Sequence, residues 1–161
     1  MRSRIIQGAV LVASIGAFAG CGSSDATTTV KSTTYVATLS GANEVPARAT
    51  SATGTATYVM TGNLVTYSVT VNGLTAAATG SHIHAAPAGA NGNVIVPYVT
   101  AAVSSGVVTS GTIDLSQPIV NGTTSITGDS LRTLLNNGGA YTNVHTSAFP
   151  GGEVRGQILK Q

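Results

Sequence analysis

The three histidines are the residues of this 161-residue chain whose types and spacing could do chemistry. Two of them form the tripeptide His82-Ile83-His84, and the third, His145, lies in a second segment rich in strand-forming residues. Side chains two positions apart on a strand point to the same face. His82 and His84 are therefore predicted to project together, close enough to bind one ion. A third imidazole would complete a donor set suited to copper or zinc.

Strand alternation predicts which polar residues stand near His145. Asn143 shares its face, and Glu153 and Arg155 share the polar face of the next strand-like segment. If the two segments pair with His145 opposite Glu153, then Asn143 lies opposite Arg155. The Glu153 carboxylate would then fix the tautomer of the imidazole beside it. Glu153, Arg155 and Asn143 are therefore predicted as outer partners of the metal ligands.

Other interpretations of these residues stay open at this point. A His-x-His pair on the solvent face of a strand also occurs without any ligand, so the metal hypothesis depends on whether His145 meets the other two. Glu44, in the segment Asn43-Glu44-Val45-Pro46, is interpreted as a turn residue in preference to an extra ligand. No Ser/His/Asp arrangement or phosphate-binding loop is indicated by the spacing, so no catalytic residue is assigned.

The N-terminal segment has the pattern of an export signal. A short basic region precedes a mostly apolar stretch at 5–18, and Phe18-Ala19-Gly20-Cys21 resembles a bacterial lipobox. Residues 1–20 are predicted to be a lipoprotein signal peptide, with Cys21 as the lipidation site. The alternative is an ordinary signal peptide with an incidental cysteine. An exported protein anchored by lipid to the cell envelope is expected, at the periplasmic face or the cell surface, with the outer membrane as one destination.

Charge excludes one class of partner. The chain has seven basic and five acidic residues, and two of the basic ones, Arg2 and Arg4, lie in the predicted leader. The remainder has five of each sign. A formally neutral domain does not support nucleic-acid binding, so the expected partners are the membrane, through the lipid, and a protein or glycan.

The pattern after the leader predicts an all-β fold. Residues 21–34 are rich in Ser and Thr and are predicted to be the lipidated cysteine and a flexible tether, followed by one domain at 35–161. In segment 64–72 apolar and polar residues alternate, as in a half-buried antiparallel strand. Strands are predicted at 35–39, 55–60, 64–72, 81–84, 93–100, 107–115, 140–146 and 153–159.

A short helix is predicted at 129–135, with a capping residue at Asp129 and glycines after its end. Such short strands at regular spacing predict an antiparallel β-sandwich with Greek-key features and one short helix.

Four segments, in order, resemble the CHRD domain, a family named for its occurrence in chordin. They are Leu39-Ser40-Gly41-Ala42-Asn43-Glu44-Val45-Pro46, His82-Ile83-His84, Tyr141-Thr142-Asn143-Val144-His145-Thr146 and Gly152-Glu153-Val154-Arg155-Gly156-Gln157-Ile158. The resemblance runs from about Tyr35 to Leu159. It implies an extracellular module, in a family without a single agreed biochemical activity.

The arrangement is also similar, at motif level, to copper/zinc superoxide dismutase, another antiparallel sandwich. That similarity implies copper ligands at His82, His84 and His145, with Arg155 as the arginine near the metal. The dismutase has additional histidines, an aspartate and a disulfide, whereas this chain has three histidines and one cysteine. A full dismutase site is therefore not expected.

Three hypotheses about function follow. The first is a cell-envelope lipoprotein that binds a transition metal, copper in preference to zinc, through its three histidines. The second is a metal-free binding or scaffolding module. The third is a copper redox enzyme resembling the dismutase, which would need an open coordination position.

Overall fold

The structure is a computed structural model that describes residues 30–161. The predicted signal peptide at 1–20, Cys21 and most of the predicted tether lie outside the described residues. Strand β1 begins at Ser32, so residues 32–34 of the predicted tether belong to the folded domain. Within the part of the chain that the structure describes, no helix is long and apolar enough to cross a membrane.

The described residues form eleven strands, one α-helix and one turn of 3₁₀ helix at Gly41–Asn43. The strands are β1 (Ser32–Ser40), β2 (Thr53–Thr61), β3 (Leu64–Asn72), β4 (Ala78–Ala85), β5 (Asn93–Pro97), β6 (Gly106–Asp114), β7 (Ile119–Asn121), β8 (Thr124–Ile126), β9 (Ala140–Thr146), β10 (Val154–Gln157) and β11 (Leu159–Lys160). Helix α1 spans Gly128–Asn137. Each predicted strand has a counterpart, although the one predicted at 153–159 is divided into β10 and β11. The small β7–β8 hairpin was missed, although Asn121-Gly122 at its turn is a hairpin signal.

Nine of these strands form one antiparallel sheet in the order β5-β4-β9-β10-β1-β2-β3-β6, with β11 also paired to β1. The sheet curls into a half-barrel, so that its two halves face each other across one core. The hydroxyl groups of Tyr58 on β2 and Tyr98 after β5 meet across that core at 3.1 Å. The all-β sandwich predicted from the strand pattern is confirmed.

Burial follows the alternation that the sequence predicted. Val65, Val69 and Val71 on β3 are buried, and Ile83 is buried on the face of β4 opposite the two histidines. Tyr35 on β1 is also fully buried in this core. Burying such apolar side chains stabilises the fold, at about 1.5–3 kcal/mol for each large one.

Helix α1 covers one end of the core through Leu131 and Leu135, which lie one turn apart and are both fully buried. Its cap is Thr127, whose side-chain oxygen accepts a hydrogen bond from the Ser130 N–H. The cap predicted at Asp129 was wrong, because the helix begins one residue earlier, at Gly128. The prediction that glycine ends the helix is confirmed, since Gly138 follows its last residue in the left-handed conformation, with φ 68°.

Candidate metal centre

The sheet topology brings the three histidines together on the outer face of two neighbouring strands. His82 and His84 lie on β4, and His145 lies on β9, which pairs with β4. The ring centroids of His82 and His145 are 5.1 Å apart, and those of His82 and His84 are 5.7 Å apart. One nitrogen from each ring lies within 4.8 Å of the other two. Metal–nitrogen bonds are about 2.0–2.1 Å long, so shifts of about 1 Å or less would close the three nitrogens onto one ion.

Backbone carbonyls of two covering loops set the tautomers of His84 and His145. The Nδ1–H of His84 donates to the carbonyl oxygen of Gly92 at 2.9 Å, and the Nδ1–H of His145 donates to that of Pro150 at 2.9 Å. A carbonyl oxygen only accepts, so each Nδ1 carries the hydrogen and each Nε2 of a neutral ring presents a lone pair. Histidines that bind metals usually donate their other ring N–H in this way.

His82 completes the cluster from the solvent side. Its Nδ1 is 3.3 Å from the Nε2 of His145. The Nδ1 can donate a hydrogen to that nitrogen, or it can present a lone pair when the hydrogen moves to its own Nε2. Gly80 lies against this ring, since a Cβ at that position would be in ordinary van der Waals contact with the Cε1 of His82, at 3.4 Å.

The surroundings favour neutral imidazoles. Burial, as the largest cause, together with the nearby His145 and His84 lowers the pKa of His82 to about 4. Burial also lowers the pKa of His84. Because an imidazole must be unprotonated to bind a metal ion, both rings are in the binding form at neutral pH.

The lowered pKa of His82 predicts a pH range over which the metal-free protein loses stability. The folded state takes up the His82 proton near pH 4, whereas the unfolded chain takes it up near its ordinary pKa of 6.5. Stability is therefore fully present above pH 6.5 and declines as the pH falls toward about 4, because the unfolded state binds more protons. Denaturant unfolding from pH 7 to pH 4 should show this decline, and His82→Ala should reduce its slope. An equal slope in the variant would contradict the assignment.

Asn143 lies at the centre of the polar face. It pairs with His82 on β4 and with Arg155 on β10, so the predicted Asn143–Arg155 register is confirmed. Its side-chain Oδ1 is 3.1 Å from the Nε2 atoms of both His84 and His145. The residue is 3% exposed, because the covering loops exclude solvent from this face.

Arg155 supports the cluster through stacking. Its guanidinium carbon is 3.3 Å from the ring centroid of Tyr141, whose ring in turn stacks on His84 with centroids 4.6 Å apart. The guanidinium also donates to the carbonyl oxygen of Ala90 at 2.6 Å and to the Oδ1 of Asn91 at 3.1 Å. Arg155 therefore holds the loop that carries Gly92, the hydrogen-bond acceptor of His84.

The structure does not bring Glu153 to the histidines. The residue is fully buried, and its carboxylate accepts hydrogen bonds from the hydroxyl groups of Thr50, Thr75 and Thr146 and from the Thr75 N–H, at 2.8–2.9 Å. Strand β10 begins only at Val154, so the alternation that predicted the direction of Glu153 does not reach it. The carbonyl of Pro150 takes the place predicted for this carboxylate beside His145.

Glu44, interpreted from the sequence as a turn residue, lies next to the cluster. Its side chain is 6% exposed, and its Oε1 has no hydrogen-bond partner among the described residues. Burial raises the pKa of this carboxyl group above its ordinary value, and the charges of Arg155 and Arg48 offset only part of that rise. A Cβ on Gly152 would collide with Oε1 and would lie 3.0 Å from the Nδ2 of Asn143. Glu44 and Asn143 thus approach each other across a glycine.

Comparison with known families agrees with the segments that resembled a family in the sequence. The model of the CHRD domain matches residues 35–158, a range that includes all three histidines, Asn143 and Glu44. No curated protein and no solved structure matches the chain.

Proposed function

The chain belongs to the CHRD domain family, and we propose that its three-histidine cluster binds a transition metal ion, copper in preference to zinc. The observation that carries the proposal is the hydrogen bonding of His84 and His145. Each Nδ1 is committed to a backbone carbonyl, so each Nε2 presents its lone pair to the same space, next to the Nδ1 of His82. When the hydrogen of His82 is on its own Nε2, three lone pairs converge without a hydrogen between them, and such a set attracts a cation.

The donor chemistry supports the choice of metal. Imidazole nitrogen suits copper and zinc, and a given nitrogen site generally binds Cu²⁺ more tightly than Zn²⁺. His82 and His145 are half-buried and His84 is buried. An ion held here would be reached past the two half-buried rings, which would allow exchange or delivery of the ion.

Direct titration tests the proposal. The purified protein is titrated with Cu(II) and with Zn(II) against a competing chelator. We expect one equivalent of either ion per chain, with the Cu(II) dissociation constant the lower of the two. A protein that binds neither ion would refute the proposal and would favour a metal-free module that contacts a protein or a glycan.

We further propose that the protein is exported and anchored to the cell envelope by a lipid on Cys21. The support is the sequence of the leader, where the apolar stretch at 5–18 precedes Phe18-Ala19-Gly20-Cys21. Cells fed a radioactive fatty acid should label the wild-type protein and not the Cys21→Ser variant. The chain has one cysteine, so label that persists in Cys21→Ser would contradict thiol lipidation.

A further inference from the structure

We propose that the side-chain oxygen of Asn143 is the fourth ligand of the metal site, and that Glu44 holds the amide in the orientation that this requires. The inference rests on the proposed metal binding and adds two residues to it. Asn143 would bind the ion directly, whereas Glu44 would act as a positioning residue.

The first step is the spacing of the donor atoms. The Oδ1 of Asn143 is 3.1 Å from the Nε2 of His84 and 3.1 Å from the Nε2 of His145. The Nδ1 of His82 is 3.3 Å from the Nε2 of His145. In a tetrahedral site with bonds of about 2.0–2.1 Å, neighbouring ligand atoms lie about 3.3–3.4 Å apart. The oxygen therefore stands within about 0.3 Å of the separation expected of a ligand.

The second step is the absence of a hydrogen from the two contacts of the Asn143 oxygen. The hydrogens on His84 and His145 are on Nδ1, where they are donated to Gly92 and Pro150. An amide oxygen can only accept, so two lone pairs of nitrogen face a lone pair of oxygen. Such a contact is repulsive between neutral groups, and a bound cation makes it attractive.

The third step is the orientation of the amide. Turning it over would direct its NH₂ group at the two nitrogens and remove the need for a cation. The other end of the amide opposes this, because Nδ2 lies on the side of the Glu44 carboxylate. No hydrogen bond joins the two groups among the described residues, so the preference is electrostatic. The NH₂ end of the amide, which carries partial positive charge, faces the carboxylate, and reversal would turn the amide oxygen toward Oε1, a buried acceptor.

The backbone at Gly152 allows Glu44 to lie close to Asn143. Gly152 has φ 115°, a conformation that other residues rarely adopt, and it has no side chain between Glu44 and Asn143. The carboxylate can therefore approach the Nδ2 end of the amide.

Two substitutions of Asn143 separate a ligand from a structural residue. Asn143→Leu has similar volume and no donor atom, and it should weaken Cu(II) and Zn(II) binding by about 10-fold or more. Asn143→Asp keeps an oxygen donor at the same place but turns a second oxygen toward Glu44, so it should retain more of the affinity than Asn143→Leu. A residue that only shaped the site would be impaired equally by both changes. Asn121→Leu, at a part-buried amide outside the site, should leave both affinities unchanged.

Spectroscopy of the bound ion gives an independent measurement. In Asn143→Leu, water should replace the amide oxygen, so that Cu(II) relaxes water protons faster than it does in the wild type.

Glu44→Leu should weaken metal binding, and Glu44→Gln, which keeps an acceptor, should restore most of the affinity. If Asn143→Leu does not fold, the wild type labelled with ¹⁵N-asparagine still tests the proposal, because Zn(II) should shift the side-chain amide resonance of Asn143.

The outcomes distinguish this inference from the proposed function. A wild-type protein that binds neither ion overturns both. Wild-type binding, with Asn143→Leu and Asn143→Asp equally weakened and the water relaxation unchanged, overturns the fourth ligand alone. An unshifted Asn143 amide in the Zn(II)-loaded wild type does the same.

Discussion

Replacing His84 with alanine is expected to raise the dissociation constants for Cu(II) and Zn(II) by more than about 100-fold. His84 is the most buried of the three histidines, at 8% exposed, and both of its ring nitrogens have defined neighbours. Loss of an outer partner of a metal ligand alone costs about 10–100-fold in affinity. Loss of a preoriented ligand should therefore cost more.

The neighbouring strand β9 offers a matched control for this experiment. Tyr141→Phe keeps the aromatic ring that stacks on His84 and removes its hydroxyl group, which accepts one long hydrogen bond, at 3.4 Å, from the Gly92 N–H. Its metal affinity should stay within about threefold of the wild type, because the stack and the ligand remain. His82→Ala and His145→Ala should both weaken binding as well. A His84→Ala protein that keeps wild-type affinity would show that the cluster does not act as one site.

Replacing Glu153 with alanine is expected to lower the free energy of unfolding by about 3 kcal/mol or more. The fully buried carboxylate accepts four hydrogen bonds, and its removal leaves the Thr75 N–H and three hydroxyl groups without their acceptor. These groups come from the segments around Thr50 and Thr75 and from β9. Glu153 therefore joins distant parts of the chain. Denaturant unfolding measures the change.

An exposed acid provides the control for stability. The side chain of Asp129 is 95% exposed, so Asp129→Ala should change the free energy of unfolding by no more than about 0.5 kcal/mol. Glu153→Gln keeps the shape and should be less destabilising than Glu153→Ala. Equal effects at Glu153 and Asp129 would contradict the role assigned to the buried carboxylate.

The pH dependence of this contribution has a definite sign. Burial alone would raise the pKa of Glu153, but the hydrogen bonds from Thr75, Thr146 and Thr50 bring it below the ordinary value of 4.5. A depressed pKa stabilises the fold above the pKa of the unfolded chain, and this stability is lost as the pH falls further. The loss attributable to Glu153 should therefore appear below about pH 4.5, at the acid end of the pH range assigned to His82 and beyond it, and should be absent in Glu153→Gln.

Metal binding by Glu153→Gln distinguishes the observed role of this residue from the one predicted by strand alternation. A carboxylate that fixed the tautomer of His145 would support affinity, and its loss would cost about 10–100-fold. The Pro150 carbonyl accepts the hydrogen of His145 instead. Glu153→Gln is therefore expected to bind Cu(II) with nearly unchanged affinity.

The sequence by itself determined the features that depend on local periodicity. Alternation with a period of two placed His82 and His84 on one face of β4 and Ile83 in the core. The same rule predicted the pairing of Asn143 with Arg155, because both residues lie within regular strands of one hairpin. Turn signals predicted the ends of most elements, since glycine and asparagine favour turns wherever they occur.

Only the tertiary structure decided which side chains meet. The pairing of β4 with β9 joins segments about sixty residues apart, and no local pattern encodes that neighbour. The carbonyls of Gly92 and Pro150 are backbone groups that any residue would carry, so their alignment with His84 and His145 has no sequence signature. Glu153 and Glu44 lie just outside regular strands, where the period of two ends and packing alone directs a side chain. The ligands were therefore predictable as a set of residue types, whereas their orientation came from loops that the fold lays over the sheet.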